Sequence, residues 1–364
     1  MKRRWFDLAL TLTAVMLIVS IGMGVFFLPT ADFSEEENRM LADLPIPTLQ
    51  NITNGSFSAS VSDYLRDRIP LRLEFIRTKA YTELLLLKGE NNGILFCRNG
   101  YLLDRGEYGT LDKARKNIEY YGELSARLSA TNIPVTVAYI PRGIDVMSHT
   151  LPELYRGEHT DVMTLIPTGT SLLSPLKNAA ESGAYVWFRT DHHWTAHGAY
   201  IAYTELADIL GYIPYPRESF DVEQVSESFL GTLYSKAGCI APIPDSIELY
   251  RYADDGEYLL TIDQNYTQKG LYFDGFLAKK DKYSVFLGGN YATLSIEKSN
   301  APQRERLLII KDSYTNSLAP FLARHFDLLL LDPRYFDGGD TELLKLAQES
   351  DKALILQGID TVSN

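Results

Sequence analysis

The stretch Leu307-Leu308-Ile309-Ile310-Lys311-Asp312-Ser313-Tyr314-Thr315-Asn316-Ser317 decides the fold. Its four apolar residues show no polar alternation, which predicts a strand buried on both faces. A polar turn follows, and then a helical pattern over Thr315–His325. Strand, polar turn and helix in that order form the unit from which parallel sheets are built. Ser313 falls where the strand gives way to the helix, a position that leaves a hydroxyl accessible.

The same grammar recurs on either side. Leu328–Leu331 predicts a strand followed by Asp332-Pro333-Arg334-Tyr335-Phe336, and Ala353–Leu356 predicts another, with a helix over Thr341–Glu349 between them. Upstream, Leu111–Ala130 places Leu111, Ala114, Ile118, Tyr121, Leu124 and Leu128 on one helical face. It leads into the apolar run Val135–Ile140 and then Pro141-Arg142. Ala184–Phe188 reads as a further strand and Ala196–Leu210 as its helix. At least five buried strands with crossover helices imply an α/β fold with a doubly wound parallel sheet. Residues 240–300 break the pattern. Their turn signals and alternating Tyr, Leu and Phe read as a β-rich insertion. Residues 57–88 read as helical, and Ile94-Leu95-Phe96, Arg98-Asn99-Gly100, Tyr101-Leu102-Leu103 as a hairpin with an Asn-Gly turn.

The N-terminus sets the compartment. Lys2, Arg3 and Arg4 precede 21 residues, Leu8 to Leu28, without a charge. As a helix they span roughly 30 Å, the thickness of a bilayer core. The basic tip stays cytoplasmic and the rest of the chain lies outside. Residues 1–29 are therefore expected to be a basic tip and transmembrane signal-anchor, and 30–56 a polar, Pro-containing stalk. Residues 57–364 are expected to be the catalytic domain, with its insertion at about 240–300. Cleavage after Pro29-Thr30-Ala31 is the alternative.

Of the 364 residues, 45% are apolar and 23% charged, enough for a large core. Acidic residues outnumber basic ones 47 to 35, a balance that repels phosphate backbones and argues against nucleic acid as a partner. Cys97 and Cys239 have neither redox nor zinc spacing. They read as two buried thiols or as one bridge in an oxidising compartment.

Three polar clusters lie at predicted strand ends, where open α/β sheets place their sites. They are Arg189-Thr190-Asp191-His192-His193-Trp194-Thr195-Ala196-His197-Gly198, Lys311 to Ser317, and Asp332 to Phe336. A serine hydroxyl needs a base, an imidazole serves near neutral pH, and a carboxylate fixes the imidazole's tautomer. Ser313, His193 and Asp191 supply these three groups. The backbone amides at the start of the helix after Ser313 are candidate oxyanion donors. The plainer readings are that Asp312, Ser313 and Thr315 cap that helix, that Trp194 anchors packing, and that His193 and His197, four residues apart, hold a metal. The favoured reading needs no metal and no cofactor.

Asp191-His192-His193-Trp194 resembles the signature of the DHHW proteins, relatives of the alginate O-acetyltransferases within the SGNH-hydrolase superfamily. Phe33 to Arg39, Tyr64 to Arg72 and Lys311-Asp312-Ser313-Tyr314 extend the similarity. The resemblance implies an SGNH-hydrolase-like fold, with Asp191 orienting His193 as base and Ser313 as nucleophile, in an order along the chain that reverses the usual one. The family's glycine before Asp-Ser is Lys311 here. Tyr335, on the loop after the next strand, is implied as an oxyanion or sugar contact. Asn316, Tyr314, Trp194 and Arg142 are further oxyanion or substrate candidates. The implied activity is extracytoplasmic O-acetyl transfer to a polysaccharide through an acyl-enzyme, with a polytopic membrane acyltransferase as a possible supplier of acetyl groups. An O-acetylesterase with the same triad, or a non-catalytic glycan-binding or assembly protein, is the alternative.

Overall fold

The computed structural model describes residues 2–27, 32–34, 39–106, 111–153, 155, 162–167, 170–238, 243–299 and 301–363. The chain divides into two compact units, Met1–Asn91 with Ser235–Ala241, and Asn92–Tyr234 with Pro242–Asn364.

In the first unit, Lys2–Phe27 is one helix, and its stretch Arg4–Val25 is long and apolar enough to cross a membrane. A helix over Leu49–Thr53 follows, capped by Thr48 and Asn51 reciprocally. The single helix expected over 57–88 is two, Ser56–Asp67 and Arg72–Leu85. Pro70 is the cause. It lacks an N–H and disfavours helical geometry at Ile69, and Leu71 turns left-handed at φ 58°.

The second unit is built on a seven-stranded sheet. Its strands are β1 (Val135–Ile140), β2 (Tyr258–Ile262), β3 (Tyr266–Lys269), β4 (Thr293–Lys298), β5 (Arg306–Lys311), β6 (Asp327–Leu331) and β7 (Lys352–Gly358), in the order β3-β2-β4-β6-β5-β7-β1. The four strands β6, β5, β7 and β1 run parallel. The residues expected to form a β-rich insertion supply β2, β3 and β4, which extend this sheet antiparallel from β6.

The apolar runs are buried twice over. Leu307, Ile309, Leu328, Leu330, Leu354 and Leu356 pack on one face with helices α2 (Leu173–Glu181), α3 (Ala196–Leu210) and α4 (Thr315–Leu322). Leu308, Ile310, Leu329, Leu331, Ala353 and Ile355 pack on the other with α1 (Leu111–Ser129) and α5 (Gly339–Gln348). Period-two alternation divides each strand between two cores, and full burial of each such side chain contributes about 1.5–3 kcal/mol. The architecture is thus an α/β, doubly wound fold. The chain leaves β5 for β6 on one side and returns to β7 on the other. Ser313 therefore sits at the reversal of strand order, where such sheets bind ligands.

Two local expectations change. Among the described residues Ala184–Phe188 joins no sheet, and its one bridge is that of Trp187 with Trp194. The hairpin is present, with Leu95 opposite Leu103, and Asn99 and Gly100 at φ 59° and 76° give the left-handed pair that a tight two-residue turn requires. Cys97 is partly buried, which pushes its thiol up to about 12; Cys239 lies outside the described residues.

Candidate active site

The Asp191 loop is a small hairpin held from outside. Phe188 N–H donates to the His193 carbonyl at 3.2 Å, and Thr195 N–H to the Val186 carbonyl at 3.0 Å. Buried Asp245 receives the N–H groups of Arg189 (2.6 Å) and Thr190 (2.8 Å) and the Thr190 hydroxyl (2.5 Å). Leu102 of the Asn-Gly hairpin donates to the Arg189 carbonyl at 2.7 Å. Thr195 then caps α3 by accepting from Gly198 N–H at 3.2 Å.

From this loop, His193 Nε2 lies 2.8 Å from Ser313 Oγ and His193 Nδ1 2.6 Å from Asp191 Oδ1. Asp191 Oδ1 also accepts the His193 N–H at 3.0 Å. Its Oδ2 accepts the N–H and hydroxyl of Thr232 at 2.8 and 3.1 Å. Burial alone would raise the Asp191 carboxyl. The neighbouring imidazoles of His192 and His193 and the Thr232 N–H outweigh it and hold the carboxyl well below the usual carboxylate range. Asp191 therefore stays an anion at the Nδ1 side of His193, which favours the tautomer with Nε2 open to the serine.

The serine turn is fixed separately. Asp312 is fully buried; its carboxylate accepts Tyr314 N–H (3.1 Å), Gly358 N–H (2.7 Å) and the Thr361 hydroxyl (2.6 Å). Thr315 N–H donates to the Asp312 carbonyl and Asn316 N–H to that of Ser313. The amides after Ser313, expected as oxyanion donors, are thus already used. Ser313's own N–H has no acceptor among the described residues.

Four sequence candidates are buried in the frame around the two loops. Trp194 is 0% exposed, and its Nε1–H donates to Ser317 Oγ (2.9 Å) and the Tyr314 carbonyl (3.1 Å), joining the Asp191 and Ser313 loops. Buried Tyr314 places its hydroxyl 2.7 Å from the His192 carbonyl and 2.8 Å from Asp360 Oδ2. Asn316 accepts from Lys311 Nζ at 2.9 Å and donates to the Gly289 carbonyl at 3.1 Å. Arg142 is buried, with its fork on Asp145 at 2.9 and 3.0 Å. Tyr335, by contrast, is 55% exposed beside Arg334.

Lys311, in place of the expected glycine, is a buried ammonium. It donates to Asn290 Oδ1 (2.8 Å) and Asn316 Oδ1, 3.7 Å from the Asp332 carboxylate. Burial pushes it down to about 8. His197 does not join the His cluster and bonds Tyr250 at 3.1 Å. The donor atoms of Asp191, His192 and His193 lie within 4.8 Å of one another, the one grouping of a kind that could hold a metal among the described residues. Both nitrogens of His193 and both oxygens of Asp191 are already hydrogen-bonded.

Three contributors were missed. Tyr283 stacks on His193, Thr232 holds Asp191, and a Cβ on Gly231 would lie 2.3 Å from Asp191 Oδ2. None carries a sequence signal beyond its residue type.

A family model described as DHHW protein matches residues 174–331, and one described as SGNH hydrolase-like domain, acetyltransferase AlgX, matches residues 89–242. The probable alginate O-acetylase AlgJ of Pseudomonas fluorescens is 25% identical over 169 residues, 43% of each chain, so the match spans less than half of that relative. A DHHW family protein from Eubacterium siraeum superposes with a TM-score of 0.61 at 24% identity, covering 76% of this chain and 93% of that one. Bacillus cereus PatB1 gives 0.61 at 20% identity, covering 74% and 97%. At these identities the two structures show a shared fold. With the DHHW run on the Asp191 loop, the chain is similar to the DHHW proteins and to the SGNH hydrolase-like, AlgX-type domain, each over less than half of its length, and more distantly to the probable alginate O-acetylase AlgJ.

Proposed function

We propose that this protein is an extracytoplasmic, serine-dependent O-acetyltransferase that modifies a cell-surface or secreted polysaccharide. The observation that carries the reading is the unbroken chain from Ser313 Oγ through His193 to Asp191. The relative AlgJ, named a probable alginate O-acetylase, supports the polysaccharide and the acetyl group. A solved form of PatB1 described as carrying a sulfonyl adduct supports comparable reactivity in a protein of this fold.

In the first step Ser313 Oγ attacks the acetyl carbonyl while His193 Nε2 takes its proton. The Ser313 N–H faces the developing oxyanion, a donor whose kind contributes about 3 kcal/mol. The tetrahedral intermediate collapses, the donor's leaving oxygen takes the proton from His193, and acetyl-Ser313 remains. A sugar hydroxyl then attacks the ester, passing its proton to His193, which returns it to Ser313 Oγ. Water in place of the sugar would make the same site an acetylesterase. The N-terminal helix would hold the domain at the outer membrane face, within reach of a polytopic acyltransferase supplying acetyl groups.

The test is acetyl transfer from p-nitrophenyl acetate by the full chain in detergent. Ser313→Ala is expected to abolish both the p-nitrophenol burst and sugar acetylation. A variant that still acetylates sugar would instead favour a non-catalytic binding or assembly role.

A further inference from the structure

His192, the first histidine of the run, has no part in the relay just described. Its ring packs on that of His193 with centroids 3.8 Å apart. Its side chain is 31% exposed where that of His193 is 7%. It is the more open of the two imidazoles.

The hydrogen bonds around it fix its tautomer. His192 Nδ1 lies 2.7 Å from Thr232 Oγ1, and that hydroxyl donates to Asp191 Oδ2 at 3.1 Å. An ionised carboxylate only accepts, and a threonine hydroxyl has one proton to give. That proton goes to Asp191, so Thr232 Oγ1 accepts from His192 Nδ1–H. The neutral ring then carries its lone pair on Nε2. Burial, with the neighbouring His193, lowers the His192 pKa against the opposing pull of the Asp191, Asp360 and Asp312 carboxylates. His192 Nε2 makes no hydrogen bond among the described residues. One carboxylate therefore orients two adjacent imidazoles, tilted 38° from one another, His193 directly and His192 through Thr232.

We propose that His192 is an acceptor-binding residue, whose Nε2 accepts a hydrogen bond from a second hydroxyl of the sugar, next to the hydroxyl that receives the acetyl group. This rests on the acyl-transfer reading of Ser313 and His193. The attacking hydroxyl passes its proton to His193, and its neighbour donates to His192, which neither gains nor loses a proton. A diol meets both imidazoles at once. Water or a simple alcohol meets only one, so His192 biases the acyl-enzyme toward transfer over hydrolysis.

The test uses the full chain in detergent, p-nitrophenyl acetate as donor, and methyl mannopyranoside or butanol as acceptor. The ratio of transfer to hydrolysis is read by mass spectrometry of the products. Asn places its amide where Nδ1 was and leaves Nε2 unreplaced, whereas Gln places an oxygen near Nε2 and gives up the bond to Thr232. For the sugar, His192→Asn is expected to lower the ratio about tenfold, the scale of one lost hydrogen bond, and His192→Gln to restore it to within about threefold of the parent. For butanol the ratio is expected to be the same in all three proteins. The proposal is overturned if His192→Asn keeps the ratio and His192→Gln loses it, because His192 then only braces Thr232. It is also overturned if sugar and butanol fall together, or if the parent forms an acyl-enzyme that transfers to no sugar. A parent that shows no p-nitrophenol burst overturns the acyl-transfer reading itself.

Discussion

Tyr283 lies flat against His193, with ring centroids 3.9 Å apart and planes 10° from parallel, and its hydroxyl donates to the Ser313 carbonyl at 3.1 Å. One side chain thus sets the plane of the imidazole and tethers the turn that carries the serine. Tyr283 is buried, so the hydroxyl's desolvation is offset by this bond and by a second to Ser317 at 3.2 Å. Tyr283→Phe keeps the stack and loses the tether. Tyr283→Leu loses both. For p-nitrophenyl acetate, kcat is expected to fall about fivefold in the first and about a hundredfold in the second, with KM nearly constant, because a misplaced base costs rate rather than binding. Equal losses in the two variants would assign the effect to the hydroxyl alone.

Asp191→Asn is expected to reduce kcat by about 10³–10⁴, since an amide no longer holds His193 in the tautomer that leaves Nε2 free. The Thr232 N–H and hydroxyl would also face an NH₂ group if the amide took the wrong orientation. Stopped-flow measurement of the p-nitrophenol burst reads the loss directly. A variant within tenfold of the parent would remove Asp191 from the relay.

Gly231→Ala tests the same carboxylate from behind. The added Cβ would sit 2.3 Å from both Cβ and Oδ2 of Asp191, closer than real contacts allow. Asp191 must move, so the variant is expected to lose activity about a hundredfold and to melt several degrees lower by differential scanning fluorimetry. Unchanged burst kinetics would show that the loop shifts as a unit.

Lys311 predicts a pH dependence of stability. Its folded value of about 8 lies below the ordinary 10.5. Below pH 8 both folded and unfolded chains hold the proton, and the full cost of burying the ammonium is present. Between pH 8 and 10.5 the unfolded chain binds more protons, so stability rises with pH, by about 3 kcal/mol if the whole shift is realised. Lys311→Met lacks this slope. Urea unfolding at pH 7.5, 8.5 and 9.5 is expected to show the parent gaining on the variant. Parallel curves would mean that Asp332, Asn290 and Asn316 hold the ammonium as well as water does.

The parallel strands were legible because their side chains meet a core on each face, which writes runs such as Leu307–Ile310 into the sequence. Ala184–Phe188 looks the same and is buried from Val186 to Phe188, yet among the described residues its one bridge is that of Trp187 with Trp194. An apolar run records burial, not the identity of the neighbour. Residues 240–300 showed their alternation but not that β4 would pair with β6. In the site, the Asp, His and Ser types pointed to the three side chains that the fold brings into one hydrogen-bonded chain. Asn316 and Arg142 showed their polarity in the sequence but not their partners, Lys311 and Asp145, which only the folded chain reveals. Tyr283 is one of 23 tyrosines and lies 90 residues from the histidine it covers, so only the folded chain reveals it.

The most direct test of the whole account is reaction of the full chain with a serine-directed sulfonyl fluoride, followed by peptide mapping. The account predicts one adduct, on Ser313, forming at least a hundredfold more slowly in His193→Ala. An adduct on another residue, or labelling of Ser313 at the same rate without the imidazole, would contradict it.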